Sequence, residues 1–224
     1  MIRKQQRRMT IVSFKHHFIF IKTRKTAGTS IEVHLANQCA DEDIVTPLHP
    51  PVAAHRPRNY QGNKDISSFY NHMPASRIRE LCPENFSRSF RFCFERHPVD
   101  KCLSHFAMLR NSPLHRRAEH PATWEAYLER GCFPVDTALY VDQQGTLLVD
   151  KIYRYEELAS SLADISARTG MPYAPLSAQE KSGFRYGVPL FSEVMDSVEQ
   201  RQLIFDAFSS TLRFIDYPSQ VVYP

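Results

Sequence analysis

One short stretch near the start of the chain constrains the fold more than any other, because it joins an apolar run to a helical pattern through a polar turn. Residues 17–21 read HFIFI, a β-rich run typical of a buried parallel strand. Residues 30–36 read SIEVHLA, which has the spacing of a helix. A strand, a turn and a helix make the first unit of an α/β fold, so the sequence predicts that fold class.

The turn between this strand and helix has the chemistry of an anion-binding site. A helix N-terminus offers unpaired N–H groups and a partial positive charge, so a strand that turns tightly into a helix can cradle an anion. In KTAGTS, residues 25–30, Gly28 gives backbone access, Thr29 and Ser30 add hydroxyls, and Lys25 adds a charge. The commonest phosphate loop, GxxxxGK[ST], instead places its lysine after the second glycine. Taken alone, this stretch could equally be an ordinary helix start.

A second strand, turn and helix is predicted over residues 89–109. Residues 89–95, SFRFCFE, alternate polar and apolar side chains, and a helix pattern begins at Pro98. Arg96 lies at the end of the strand, and Ser104 lies about two turns into the helix, roughly 9 Å along its axis. A guanidinium and a hydroxyl in these positions can hold one phosphate. A surface arginine and an ordinary helical serine are the alternative.

Together the two motifs resemble the sulfotransferase family. KTAGTS is similar to the family's 5′-phosphosulfate loop, often PKTGGTS or PKTAGTS, with Arg24 in place of the proline. Residues 90–106, FRFCFERHPVDKCLSHF, are similar to its 3′-phosphate motif, FVRNPYDRLVSxY. The positions that match this second motif are Arg96, Pro98, Asp100, Leu103 and Ser104.

The resemblance implies an enzyme that moves a sulfuryl group from 3′-phosphoadenosine 5′-phosphosulfate (PAPS) to an acceptor hydroxyl. It assigns the 5′-phosphosulfate end to Lys25, Thr26, Ala27, Gly28, Thr29 and Ser30, and the 3′-phosphate to Arg96 and Ser104. It also brings Lys181, Ser182 and Arg185 of the late loop to the cofactor, although a solvated loop is an alternative. The implied fold is a P-loop NTPase-like three-layer sandwich, with a central parallel sheet flanked by helices. We expect one domain over residues 1–224, with residues 1–16 as a basic lead-in.

His72 is the candidate catalytic base among the ten histidines. Histidine is the usual general base near neutral pH. The segment HMPASRIREL, which begins at His72, resembles the HxPAxx[IL][RK] segment of the carbohydrate-type, heparan sulfate 2-O-sulfotransferase-like branch, where the histidine is the proposed base. His49 and His55 are alternatives. In the implied in-line displacement, His72 deprotonates the acceptor while Lys25 and the helix N-terminus stabilise the developing charge, a scheme that requires no metal.

A basic cluster in LRNSPLHRR is a candidate contact for the acceptor substrate. It contains Arg110, His115, Arg116 and Arg117. One interpretation is a solvated loop. The other is that Arg116 and Arg117 contact an acidic acceptor such as a uronic acid or a sulfated sugar. A glycan or glycosylated small molecule is the leading acceptor class, because the His72 segment resembles the carbohydrate-type branch.

Charge and composition limit the classes of function and the compartment that fit this chain. The net charge of +4 is weaker than the clustered basic signal of nucleic-acid binders. A phosphate-loop kinase that uses ATP and Mg²⁺, and a non-catalytic nucleotide-binding module, stay open as alternatives. The five cysteines show no CxxC spacing, which favours free thiols in a reducing compartment. The apolar run near the start is too short for a membrane span or signal peptide, so we expect a cytoplasmic protein.

Overall fold

The computed structural model describes residues 10–61, 69–176 and 184–217. These residues divide into two compact units. The first is drawn from Met1–Glu95 and Ala138–Gln179, and the second from Arg96–Thr137 and Glu180–Pro224. The helices, in chain order, are α1 (Gly28–Ala36), α2 (Ala75–Leu81), α3 (Pro83–Arg88), α4 (Pro98–Asn111), α5 (Trp124–Arg130), α6 (Leu158–Thr169), α7 (Phe191–Asp196), α8 (Val198–Ala207) and α9 (Ser209–Leu212).

The first unit is built on a five-stranded mixed sheet. The strands are β1 (Ile11–Ser13), β2 (Phe18–Ile21), β3 (Ile44–Val45), β4 (Phe90–Glu95) and β5 (Lys151–Arg154), in the spatial order β3-β1-β2-β4-β5. Strands β2, β4 and β5 are parallel, whereas β1 is antiparallel to both β2 and β3. The predicted α/β class is therefore confirmed, with β2, β4 and β5 as the central parallel strands.

One face of this sheet forms an aromatic core with α1 and α6. The rings of Phe20, Phe92 and Tyr153 come from three neighbouring strands and belong to one buried cluster with side chains of both helices. The Phe20 and Phe92 rings stack with centroids 5.6 Å apart. Aromatic pairs of this kind contribute about 0.5–1.5 kcal/mol beyond their buried area. This packing holds β2 and β4 side by side, so the turn that follows β2 starts from a rigid base.

The segment expected as a basic lead-in, residues 1–16, contains a strand of the sheet, because Ile11–Ser13 form β1. Asp43 holds the turn that follows β1. Its carboxylate accepts hydrogen bonds from the Ser13 hydroxyl at 2.8 Å, the Phe14 N–H at 2.6 Å and the Lys15 N–H at 3.1 Å. A strand of three residues is too short to show a recognisable alternation in the sequence, which is why it was not predicted.

Two elements begin later than the sequence predicts, each because of a local side-chain bond. Residues 146–153, TLLVDKIY, predict a strand. The strand begins only at Lys151, since Asp142 Oδ1 closes a turn by accepting from the Gln144 and Thr146 N–H groups at 3.0 and 2.9 Å. The amphipathic pattern of residues 119–130 predicts a helix. The helix begins only at Trp124, where the Thr123 hydroxyl caps it by accepting from the Ala126 N–H at 3.2 Å.

The second unit is helical and has its own core. Phe106 of α4, Trp124 and Tyr127 of α5, and Ile204 of α8 belong to one buried cluster. Apolar side chains at helical spacing over residues 197–215 predict a single last helix. The structure has two helices there, α8 and α9, because Phe208 leaves the helical conformation at φ −92° and ψ 9°. Over residues 10–61, 69–176 and 184–217, no helix is both long and apolar enough to cross a membrane.

Candidate functional site

The turn between β2 and α1, residues 22–27, has an unusual backbone. Lys25 and Ala27 both adopt left-handed conformations, with φ of 62° and 54°. Turns that mix right- and left-handed residues gather successive N–H groups on one side and so form anion-binding concavities. Ala27 is the N-cap of α1, so it has no side-chain oxygen to accept an N–H, and the first turn of α1 carries no acidic residue. Neither a capping oxygen nor an acidic side chain of the first turn therefore offsets the partial positive charge of this helix N-terminus.

The side chain of Thr26 points into the protein interior. Its side chain is fully buried, and its Oγ1 lies 3.0 Å from Thr23 Oγ1 and 3.3 Å from the Thr23 carbonyl oxygen. The Thr23 hydroxyl in turn donates to the carbonyl of Phe94 on β4. Both hydroxyls thus brace the turn against the neighbouring strand. In this arrangement Thr26 can contribute only its backbone to a bound anion.

Lys22 lies beneath the start of α1. Its ammonium is 3.0 Å from Glu32 Oε2, and the two side chains are 7% and 1% exposed. A Cβ added to Gly28 would lie 2.8 Å from Lys22 Cε and 2.9 Å from Lys22 Cγ. Gly28 is therefore needed because the helix backbone passes close to the lysine side chain.

His55 belongs to the same buried cluster. Its Nε2 lies 3.6 Å from Glu32 Oε1, and its side chain is 1% exposed. Glu32 thus lies between two basic side chains, Lys22 and His55. An imidazole enclosed in this way cannot reach an acceptor hydroxyl, so His55 is not a suitable base in this conformation. The other alternative, His49, is exposed on the loop after β3.

His72 is anchored to the first residue of the turn. Its Nδ1 lies 2.7 Å from the carbonyl oxygen of Lys22, fifty residues earlier in the chain. A carbonyl can only accept, so Nδ1 is the donor, and the neutral ring carries its lone pair on Nε2. His72 also has a left-handed backbone, with φ of 50°. Such a conformation in a residue other than glycine costs about 1–3 kcal/mol and is common at functional sites.

The second group of candidate residues lies in the second unit, around Asp100. The Arg96 guanidinium, which is largely buried, donates to Asp100 Oδ2. Arg185 donates to Asp100 Oδ1. Ser104 is half-buried and follows Asp100 by four residues on α4, so both lie on one side of the helix. The structure thus joins Arg185, a candidate from the late loop, to Arg96.

Asp100 is the residue whose role the sequence did not reveal. In the sequence Asp100 is only a match to the motif, yet in the structure it is 3% exposed and pairs with both guanidinium groups. Arg96 precedes helix α4, so helical spacing does not predict its ion pair with Asp100, and the contact between Asp100 and Arg185 has no signal in the sequence either. Lys181 and Ser182 lie outside the described residues.

Arg116 and Arg117 are exposed on the loop after α4. They line a cavity of about 680 Å³ in the second unit, together with Arg110 and His120. Across the described ranges, no group of three or more His, Cys, Asp or Glu side chains could hold a metal ion.

In comparisons with known proteins, no family model matches the chain. No curated protein matches it significantly. The function is therefore inferred from the residues of the site and their geometry.

Proposed function

We propose that this protein is a sulfotransferase that binds PAPS and moves its sulfuryl group to an acceptor hydroxyl, with His72 as the general base. The observation that carries the proposal is the 2.7 Å hydrogen bond from His72 Nδ1 to the Lys22 carbonyl. It anchors the candidate base to the turn that resembles the phosphosulfate loop. It also places the lone pair of the neutral ring on Nε2, as a base requires.

The turn fits the 5′-phosphosulfate end of PAPS. Residues 25 and 27 are left-handed, the N-cap has no hydrogen-bonding side chain, and the first turn of α1 has no acidic residue. These three features favour the binding of an external anion. The N–H groups at the start of α1 and the Lys25 ammonium would hold the charge there, and Lys25 would stabilise the charge on the departing phosphate. When bound, PAPS supplies an activated sulfuryl group, and His72 takes the proton of the acceptor hydroxyl.

The proposal assigns the 3′-phosphate to Arg96, Ser104 and Arg185. In the structure the two guanidinium groups share the carboxylate of Asp100. A phosphate dianion is a stronger partner for such groups than a single carboxylate, and guanidinium binds it through paired hydrogen bonds. ATP has no 3′-phosphate, so this cluster favours PAPS over the ATP of a kinase.

The mixed sheet with parallel strands β2, β4 and β5 supports the finer fold assignment, a P-loop NTPase-like three-layer sandwich. In this proposal the phosphate turn follows a parallel strand, which is where α/β sheets bind their ligands. The acceptor class is a glycan or a glycosylated small molecule. A screen of acceptors with labelled donor would identify it.

Thermal unfolding with adenosine 3′,5′-bisphosphate tests the proposal directly. A ligand at one hundred times its Kd stabilises the folded state by about 2.7 kcal/mol, which raises the Tm of a chain of this size by roughly 5–10 °C. We expect this rise with the bisphosphate and a smaller one with adenosine 5′-monophosphate, which lacks the 3′-phosphate. Stabilisation by ATP with Mg²⁺ but not by the bisphosphate would contradict the proposal and favour a kinase. Bisphosphate binding without sulfuryl transfer to any acceptor would favour a non-catalytic module.

A further inference from the structure

The second unit contains a cavity whose wall includes Arg116 and Arg117, the two candidate contacts for an acidic acceptor. Its volume is about 680 Å³, and its walls come from the end of α4 and the loop that follows, residues 109–122. This volume falls within the range of roughly 300–1,000 Å³ that is usual for small-molecule sites. None of the residues assigned to PAPS or to proton transfer lines it.

The basic side chains on the cavity wall are three arginines and one histidine. Arg110, Arg116, Arg117 and His120 line it, and no acidic residue does. In the described part of the chain, no carboxylate forms an ion pair with any of the three arginines. Glu119 is the one acid between residues 109 and 122, and it is exposed and outside the lining. Three guanidinium groups around one cavity favour an occupant with several negative charges.

Arg110 is held in position before any ligand arrives. Its Nη1 donates to the carbonyl of Gly187, and a Cβ at Gly187 would lie only 3.0 Å from that nitrogen. Asn111 fastens the same segment, because its Nδ2 donates to the carbonyls of Phe184 and Tyr186 at 2.7 and 2.9 Å. A guanidinium has five N–H donors, so the bond to Gly187 leaves others for a ligand. Preorganisation of this kind reduces the entropy lost on binding.

The remaining walls are apolar. Leu109, Pro113 and Pro121 contribute them. A hydrated inorganic ion would gain nothing from such walls, and a single water-sized ion would fill only a small part of the volume. A ligand that uses both kinds of wall has an organic body that bears acid groups.

We propose that this cavity is a second binding site, for a compact organic ligand that carries two or more carboxylate or sulfate groups. The inference does not depend on the proposed sulfotransferase activity, because it rests on the residues of the second unit that line the cavity.

Isothermal titration calorimetry of the full chain with benzene-1,3,5-tricarboxylate tests this inference. The probe has an apolar body and three acid groups, and it lacks phosphate and adenine. We expect one site per chain and binding about tenfold weaker in the double variant R116A/R117A, equivalent to about 1.4 kcal/mol. The matched control is R88A/R213A, which removes the same charge from two exposed arginines outside the cavity. The control is expected to bind the probe as the unaltered protein does.

Two further measurements sharpen the test. The uncharged analogue benzene-1,3,5-tricarboxamide is expected to bind much more weakly, and saturating adenosine 3′,5′-bisphosphate is expected to leave binding of the tricarboxylate unchanged. Equal weakening in both double variants would overturn the inference, because it would show a response to overall charge. Equal binding of the carboxamide, displacement by the bisphosphate, or no binding of the tricarboxylate would overturn it as well. None of these outcomes decides whether the bisphosphate itself binds, so the two proposals fail separately.

Discussion

Two structural features support the proposed role of His72. Its left-handed φ of 50° is unfavourable for a residue with a side chain, and its Nδ1 is tied to the Lys22 carbonyl. The hydrogen bond selects the ring tautomer, because a carbonyl oxygen can only accept. A histidine in a strained backbone with one nitrogen held by the main chain is suited to move a proton at the other nitrogen.

Replacing His72 with alanine is expected to lower kcat by about 10²–10⁴-fold, the usual contribution of general-base catalysis. The KM for PAPS and the affinity for adenosine 3′,5′-bisphosphate should change little, because the proposal assigns the cofactor contacts to other residues. Steady-state kinetics with an acceptor from the screen provides the measurement. His49→Ala, which removes an exposed imidazole, is the matched control. A near-normal rate in a folded His72→Ala protein would rule out His72 as the base.

At the scale of elements, helix α1 depends on what lies under its first turn. Gly28 allows the helix backbone to approach the side chain of Lys22, whose ammonium is held by Glu32. A buried ion pair contributes little net stability, but removing one partner leaves a costly buried charge. The geometry of the turn between β2 and α1 therefore relies on a lysine that cannot easily move aside.

Gly28→Ala should destabilise the protein, although alanine favours helices by about 1 kcal/mol over glycine. The new methyl group would meet Lys22 carbons at 2.8 and 2.9 Å, and such overpacking costs typically about 1–3 kcal/mol. We expect a lower Tm together with weaker bisphosphate binding. Gly170→Ala is the control, because its added Cβ meets nothing within 4 Å and only the left-handed φ of 68° is strained. It should lower Tm without affecting bisphosphate binding. A Gly28→Ala protein with raised Tm would contradict this account.

Strand β5 and helix α6 are joined through Asp164. The carboxylate of Asp164 accepts from Lys151 Nζ at 2.8 Å, the Tyr153 hydroxyl at 2.6 Å and Arg168 Nε at 2.9 Å. The hydrogen bonds from Lys151 and then Tyr153 are the main reasons that the pKa of Asp164 lies well below its ordinary value. Burial first, and then the Asp164 carboxylate, raises the pKa of Tyr153. The two elements are thus linked by an ionised carboxylate.

This link should make stability depend on pH. A carboxyl whose pKa is lower in the folded state stabilises the protein above its unfolded pKa of about 4, and the contribution disappears as the pH falls through the folded pKa. Asp164 is about one-third exposed, so Asp164→Asn should cost only about 1 kcal/mol, or roughly 2–4 °C in Tm at pH 7. The difference in Tm from the unaltered protein should shrink as the pH falls below about 4. Asp196→Asn, at an exposed position on α7, should change Tm little at either pH. A difference that does not depend on pH would contradict the account.

At the scale of the whole molecule, the two units each bury their own apolar cluster, and the five cysteines are distributed between them as free thiols. Burial raises the pKa of Cys39 and Cys102 to about 12 and that of Cys82 to about 11. Cys93 is buried on β4, whereas Cys132 is exposed after α5. Because the thiolate is the reactive form, the fold should protect most of these side chains.

Brief treatment with iodoacetamide at pH 8 should therefore modify one thiol quickly, at Cys132. Mass spectrometry of the intact chain would count the added groups, and peptide mapping would locate them. Cys132→Ser should abolish the fast phase, and the chain unfolded in guanidinium should label at all five cysteines. Fast modification of Cys39 or Cys102 in the folded protein would show that these side chains are not buried as described.

Several elements could be predicted from the sequence because their signals are local. The β-rich run of β2, the alternation of β4 and the proline at the start of α4 each depend on neighbouring residues, and the structure confirms all three elements. The same is true of the polar turn between β2 and α1. Strands β1 and β3 were not predicted, because runs of three and two residues carry too little periodicity.

The candidate site was identified from the sequence as a set of residues, but its contacts could not be. His72 meets Lys22 across fifty residues, and Arg185 meets Asp100 across eighty-five. Thr26 points inward, and Gly28 is needed because of Lys22. The sequence alone therefore determined the strand–turn–helix units and the chemistry available in them. Only the tertiary structure decided which side chains meet, because contacts between distant residues depend on how elements pack, and packing leaves no periodic pattern in the sequence.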